Sequence, residues 1–263
     1  MFTVEQRDAV RNRLLRLAEG DARVVAGAAV GSLAVEGAAD RFSDLDLTFA
    51  VADAVSVSEV LGDWTHTLIN ELAAVHLVDL GRGPTTYRVF LLPDALQFDL
   101  SMTPEAQFRP AGPRFRLLFG EIAAAEPASA GSPPPIAGQG TFSNPTPAVP
   151  GDLFGWGVIY ALHARASIER GRVWQAEHYV GAVRDHALSL ACLRHGLVAV
   201  QARGYDDLPA ETLARFSDTH VSAIAPEALR PTLAAAVRAL LREGAEARLP
   251  HAETVAQRLA DIG

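Results

Sequence analysis

Apolar residues recur at Val10, Leu14 and Leu17 behind the box Thr3-Val4-Glu5-Gln6 and stop at Gly20. That spacing predicts a first amphipathic helix whose N-terminus is closed by reciprocal bonds between side chain and backbone. Arg23 to Val30 is small and β-branched and runs into Gly31-Ser32, which predicts a strand, a tight turn and a short connector to Arg41. From Asp44 to Val51 the period drops to two, with Asp44, Asp46 and Thr48 set against Leu45, Leu47 and Phe49. This is a strand with two unlike faces, and its polar face begins with two carboxylates.

A second box, Ser56 to Glu59, introduces Val60, Leu61, Trp64, Leu68 and Leu72 at helical spacing. Val75–Leu80, Thr85–Leu92 and Ala95–Met102 then read as three short strands, with turns at Gly81–Pro84 and Pro93-Asp94, the last two strands forming a hairpin. Along the third of them Leu96, Phe98, Leu100 and Met102 face one way; Gln97, Asp99 and Ser101 face the other. Asp99 therefore belongs to a polar sheet face.

Residues 121–150 contain seven prolines and show no periodicity, so they read as a linker between a first domain, 1–120, and a second, 151–263. Beyond the linker every signal is helical: Leu153–Arg170, Trp174–His195, Ala210–Phe216, Glu227–Arg242 and Thr254–Ile262. The expected fold class is α+β, a small mixed sheet with helices on one face followed by an all-helical bundle, the cleft between them holding the site. A length of 263 residues agrees with two modest domains at about 150 residues each.

Composition removes whole classes of chemistry. All 23 basic residues are arginine, so a phosphate-loop lysine, a pyridoxal Schiff base and a kinase strand lysine are excluded. The net charge of −8 is spread over both halves, 11 Arg against 16 acids up to residue 120 and 12 against 15 after it, which argues against a nucleic-acid partner. The longest weakly polar run, Val24–Val35, is 12 residues, short of the roughly 20 that a membrane span requires. With no signal-peptide pattern and a single Cys192 inside an apolar run, a reducing cytoplasm is the expected location and a core position the expected role of that thiol.

Asp44 and Asp46, two residues apart on a strand, place two negative charges within a few ångströms of each other. A third carboxylate, Asp99, on another strand's polar face would complete a cage of hard oxygen ligands for a divalent ion. Upstream, Gly31-Ser32 ends a strand where backbone N–H groups and a hydroxyl can hold a phosphate. Eleven residues, 33–43, separate Ser32 from Asp44. This arrangement, Gly-Ser, eleven residues, Asp-x-Asp and a later strand Asp, resembles the nucleotidyltransferases of the DNA polymerase beta superfamily over roughly residues 20–105. The order of a sheet domain followed by a helical one resembles the lincosamide and aminoglycoside adenylyltransferases within it.

The resemblance implies Mg2+ on Asp44, Asp46 and Asp99, ATP or another NTP as co-substrate on Gly31, Ser32 and Ser43, and a small-molecule acceptor such as an antibiotic of those two kinds. It also implies that the helical domain closes over the nucleotide and binds the acceptor. Trp174, Glu177, His178, Arg184 and Asp185 share a stripe of one helix, with Glu177 the candidate for acceptor binding or general base and Arg184 for the triphosphate. Asp99 is a second candidate for the base. Where the family often has a cation soon after the Gly-Ser pair, this chain has Leu33, Ala34 and Val35, leaving Arg41 or the second domain to supply one. Glu105 and Arg109 follow the third strand and are placed to line the cleft, whereas His163, His186 and His195 carry no metal-ligand spacing and read as structural or surface histidines. Other readings stay open: a nucleotidyltransferase acting on protein or RNA, and a non-catalytic nucleotide-binding module. The oligomeric state is not legible.

Overall fold

A computed structural model describes residues 1–110, 114–122 and 149–262. Most of the expected linker, 121–150, lies outside the described residues. The fold is α+β: a six-stranded mixed sheet in the N-terminal part, then a helical region.

Helix α1 (Val4–Gly20) starts as its box predicts, with Gln6 N–H donating to Thr3 Oγ1 at 3.2 Å and Thr3 N–H to Gln6 Oε1 at 2.7 Å. Helix α2 (Val57–Leu72) starts differently. The Ser56 hydroxyl lies 2.7 Å from that of Ser58 and caps no backbone group, so the second box does not form. What seats α2 is its apolar face: Val60, Leu61, Trp64 and Leu68 are all buried.

The strands are β1 (Val24–Val30), β2 (Leu45–Val51), β3 (Val75–Arg82), β4 (Thr85–Leu91), β5 (Gln97–Pro104) and β6 (Phe115–Phe119), in the spatial order β3-β4-β5-β2-β1-β6. Only β2 and β5 run parallel, with Asp46 directly opposite Asp99; the other neighbours are antiparallel. Strand β6 adds an edge that the sequence pattern does not announce. It is short and half exposed, and the alternation that marks a two-faced strand is broken by Leu117-Leu118.

On one face of the sheet Leu45, Leu47, Phe49, Phe98, Leu100 and Met102 pack beneath Leu14 of α1 and the apolar stripe of α2. The rings of Phe49 and Trp64 lie 5.1 Å apart. Each such side chain contributes about 1.5–3 kcal/mol by leaving water.

The helical region comprises α3 (Pro150–Glu169), α4 (Val173–Arg194), α5 (Ala210–Leu213), α6 (Pro226–Glu246) and α7 (Ala252–Arg258). Helices α3, α4 and α6 meet through small and branched residues such as Ala161, Ala164, Ala176, Val180, Val183 and Ala236. This cluster extends into the sheet through Val75, Val78, Val89 and Leu91, so helices cover both faces of the sheet rather than one. Gly155 is the reason that α3 reaches β3: a β-carbon there would collide with the carbonyl oxygen of Leu77. Arg258 of α7 adds a polar tie, donating to the carbonyls of Leu91 and Ala73. Among the described residues no helix is long and apolar enough to cross a membrane.

Candidate active site

Parallel pairing of β2 with β5 sets Asp46 and Asp99 side by side on the face opposite α1 and α2, and Asp44 joins them from the residue preceding β2. One carboxylate oxygen from each of Asp44, Asp46 and Asp99 lies within 4.8 Å of the other two. Burial drives the carboxyl of Asp46 well above the usual range, and the charges of Asp44 and Asp99 add to it. Asp99 is pushed up to about 7, first by burial and then by the charge of Asp44, against the lowering effect of a 2.9 Å bond donated by Gln97 Nε2. Among the described residues, the basic side chain within 4.0 Å of this cluster is His163, whose Nε2 stands 4.0 Å from Asp44 Oδ2. Three carboxylates so placed repel one another; a divalent cation with oxygen ligands relieves that repulsion.

The turn after β1 closes on the same cluster. Gly31 sits at φ +64°, and a β-carbon on it would stand 2.5 Å from Asp46 Oδ2, so both backbone and space require glycine. Beside it the Ser32 hydroxyl is buried without a hydrogen-bond partner. An orphaned buried hydroxyl next to an acidic cluster is a group waiting for a ligand oxygen. Ser43 is also close, but its hydroxyl donates to Asp40 Oδ1 and accepts from Asp40 N–H, both at 3.0 Å, which closes the 40–43 turn.

Two cavities flank the carboxylates. The first, about 200 Å3, lies under α3 and α4 and is lined by Asp44, Gln97, His163, Arg165, Arg170 and Tyr179, among others. In it the Gln97 Oε1 is buried and unpartnered, as is Arg165 Nη1 at its edge. The second, about 350 Å3, continues along the polar face past Thr48 and Ser101 to Tyr87, Phe108 and Arg109. Arg109 lines this second cavity, which is walled by the sheet and the segment after β5 rather than by the helical region, while Glu105 is exposed beyond it. Arg41 is 72% exposed and lies over the Phe42 ring, 3.9 Å from Glu169.

Helix α4 turns a different face to the first cavity than the stripe picked out in the sequence. Gln175 and Tyr179 line it. Glu177 is two residues from each, a rotation of roughly 200°, which puts it on the far side of the helix. Arg184 is paired with its neighbour Asp185 at 2.9 Å, and the two border a separate hollow with Tyr205 and His220. Trp174 is 74% exposed and His178 is exposed beside it. The structure therefore assembles Gly31, Ser32, Asp44, Asp46 and Asp99, sets Ser43 in the supporting turn, and leaves the Glu177 stripe outside.

In place of that stripe, His163, Tyr179, Gln97 and Arg170 reach the site. Of these only Gln97 carried a sequence signal, its place on the polar face of β5. A lone histidine or arginine on a helix has none until the helix is docked. The His163 ring meets Tyr179 edge-on at 5.1 Å, and burial lowers its pKa. Cys192 is fully buried, a core thiol as expected.

No protein-family model matches the chain, and no curated protein does. Among solved structures it is similar to an aminoglycoside 6-adenyltransferase from Bacillus subtilis, with 11% identity over 99% of this chain and 92% of that one and a TM-score of 0.30. At that TM-score the likeness assigns nothing to this chain.

Proposed function

We propose that this chain is a magnesium-dependent nucleotidyltransferase that moves a nucleoside monophosphate, AMP from ATP or its counterpart from another NTP, onto a hydroxyl of a small molecule. One observation carries the reading: three carboxylates from two strands and a turn are gathered within 4.8 Å, with no arginine paired to them among the described residues. The donors are hard oxygens, the set that magnesium prefers. Their spacing from Gly31-Ser32 along the chain is that of the polymerase beta superfamily pattern, and the fold brings the two together at Asp46.

Asp44, Asp46 and Asp99 would hold the ion. When bound, magnesium would neutralise charge on the triphosphate and on the transferred group. Ser32 donates its free hydroxyl to a phosphate oxygen, and Gly31 lets the turn lie against Asp46. The attacking hydroxyl gives its proton to Asp99 rather than to Glu177, which lies on the far side of α4 from the cavity. Acceptor and nucleotide enter from the two cavities on either side of the carboxylates, so that attack and departure of pyrophosphate occur in line. The acceptor class that the resemblance suggests is an aminoglycoside or lincosamide, and the two halves act as a nucleotidyl-transfer domain and a substrate-binding domain.

The test is pyrophosphate release from each NTP with magnesium, against a panel of those antibiotics and buffer alone. Acceptor-dependent release that disappears in Asp46→Asn supports the proposal. Release that persists in Asp46→Asn removes the carboxylates from the chemistry.

A further inference from the structure

Asp44 stands one residue outside β2, so the sheet ladder does not hold it. It is held by the 40–43 turn that leads into it, and that turn is clamped from three directions. Within the turn, Asp40 Oδ1 accepts from Phe42 N–H at 2.9 Å and from Ser43 Oγ at 3.0 Å. From beneath, the buried Arg7 of α1 donates Nη1 to the carbonyls of Asp40, at 2.7 Å, and Ser43, at 3.2 Å. From the helical side, Arg170 at the end of α3 donates Nε to Asp40 Oδ2 and Nη2 to Asp40 Oδ1, both at 2.7 Å, and Nη2 also stands 3.5 Å from Ser43 Oγ. Two turns earlier on the same helix, His163 faces Asp44.

We propose that Arg170 is a positioning residue for the metal site: its fork on Asp40 ties the docking of α3 to the placement of Asp44, and so to the affinity of the three carboxylates for a divalent ion. This rests on the carboxylates being a metal site, as proposed above. A bidentate fork fixes the direction of a carboxylate as well as its charge, which a lysine cannot do. The pair is partly exposed, Arg170 at 30% and Asp40 at 43%, so its main product is geometry rather than stability. Arg258 provides the contrast. It joins the helical region to the sheet at the carbonyls of Leu91 and Ala73, not at the turn.

The experiment titrates the full chain with Mn2+ alone, following the free ion by electron paramagnetic resonance, in the unaltered protein and in Arg170→Met, Arg170→Lys and Arg258→Met, with Tm recorded for each. Arg170→Met is expected to weaken Mn2+ binding by roughly tenfold or more, the size of effect seen when a group orienting a ligand is lost. Arg170→Lys recovers part of it, and Arg258→Met lowers Tm with Mn2+ affinity unchanged. Equal affinity in Arg170→Met and the unaltered chain overturns the inference alone. So does an equal loss in Arg258→Met, which would mean general loosening of the two halves. If the unaltered chain binds no Mn2+, the metal-site reading fails and this inference falls with it.

Discussion

On one face of the sheet Leu45, Leu47 and Phe49 alternate into a core closed by α1 and α2; on the other, the intervening Asp46 and Thr48 look into a cleft that α3 covers only in part. Strand β5 does the same with Phe98, Leu100 and Met102 against Gln97, Asp99 and Ser101. One backbone ladder thus serves two opposed purposes. Apolar burial on the first face supplies the free energy that fixes β2 beside β5, and that fixed spacing holds Asp46 against Asp99 on the second, where their mutual repulsion opposes it. The stable face is what makes the unstable one possible.

The largest test of this contrast is Asp46→Asn. It should abolish Mn2+ binding and lower turnover by roughly a thousandfold or more, about 4 kcal/mol of transition-state stabilisation. In the metal-free protein Tm should hold or rise, because an acid whose ionisation burial and two neighbouring carboxylates oppose is replaced by a neutral amide; a substantial fall in Tm would mean that the carboxylate is structural. On the opposite face Phe98→Ala should cost about 3–5 kcal/mol of stability, read from the denaturant midpoint. A smaller cost with unchanged Mn2+ affinity would show that the core does not set the spacing of the carboxylates.

Between the faces lies Gly31→Ala, which forces an L-residue to φ +64° and a β-carbon onto Asp46. The expected cost is about 1–3 kcal/mol in Tm-derived stability, together with weaker Mn2+ binding; loss of stability without loss of binding would separate the turn from the site. A last test is in pH, where the effect is spread over several pH units. Asp99 titrates near 3.8 when unfolded and at about 7 in the folded, metal-free chain, so between those values the folded state holds more protons than the unfolded one. Stability should therefore fall as pH rises from about 4 to about 7, with Asp46, also raised by burial, adding a loss of the same sign. Asp99→Asn should flatten this part of the profile in a thermal-melt series, and a profile that keeps the same slope would assign it to another group.

Alternation along β2 and β5 was legible because a strand with one buried face must repeat every two residues. Thr3 and Gln6 were legible because capping is local, although the same four-residue pattern at Ser56 fails once Ser58 competes for the hydroxyl. Helical periodicity in α4 was legible too, yet it left open which stripe faces the cleft. That choice depends on how α4 docks on α3, where Val180, Val183 and Ala187 are buried and Tyr179 is brought against His163. A stripe of charged residues is the same on the page whether it faces a substrate or water.

Local chemistry by itself determined most of the elements and the polar and apolar faces of the two central strands, and made Gly31, Ser32, Asp44, Asp46 and Asp99 candidates for one site. Period, capping and turn preferences act within a few residues of one another, so the chain carries them openly. Only the tertiary structure decided that β2 and β5 run parallel in a register that pairs Asp46 with Asp99, that β6 joins the edge, and that α3 crosses the second face to bring His163 to Asp44 and Arg170 to Asp40. Those contacts join residues far apart in the chain, Arg170 lying 130 positions from Asp40, and they exist because buried apolar area on both faces of the sheet selects one docking of the helices over the others.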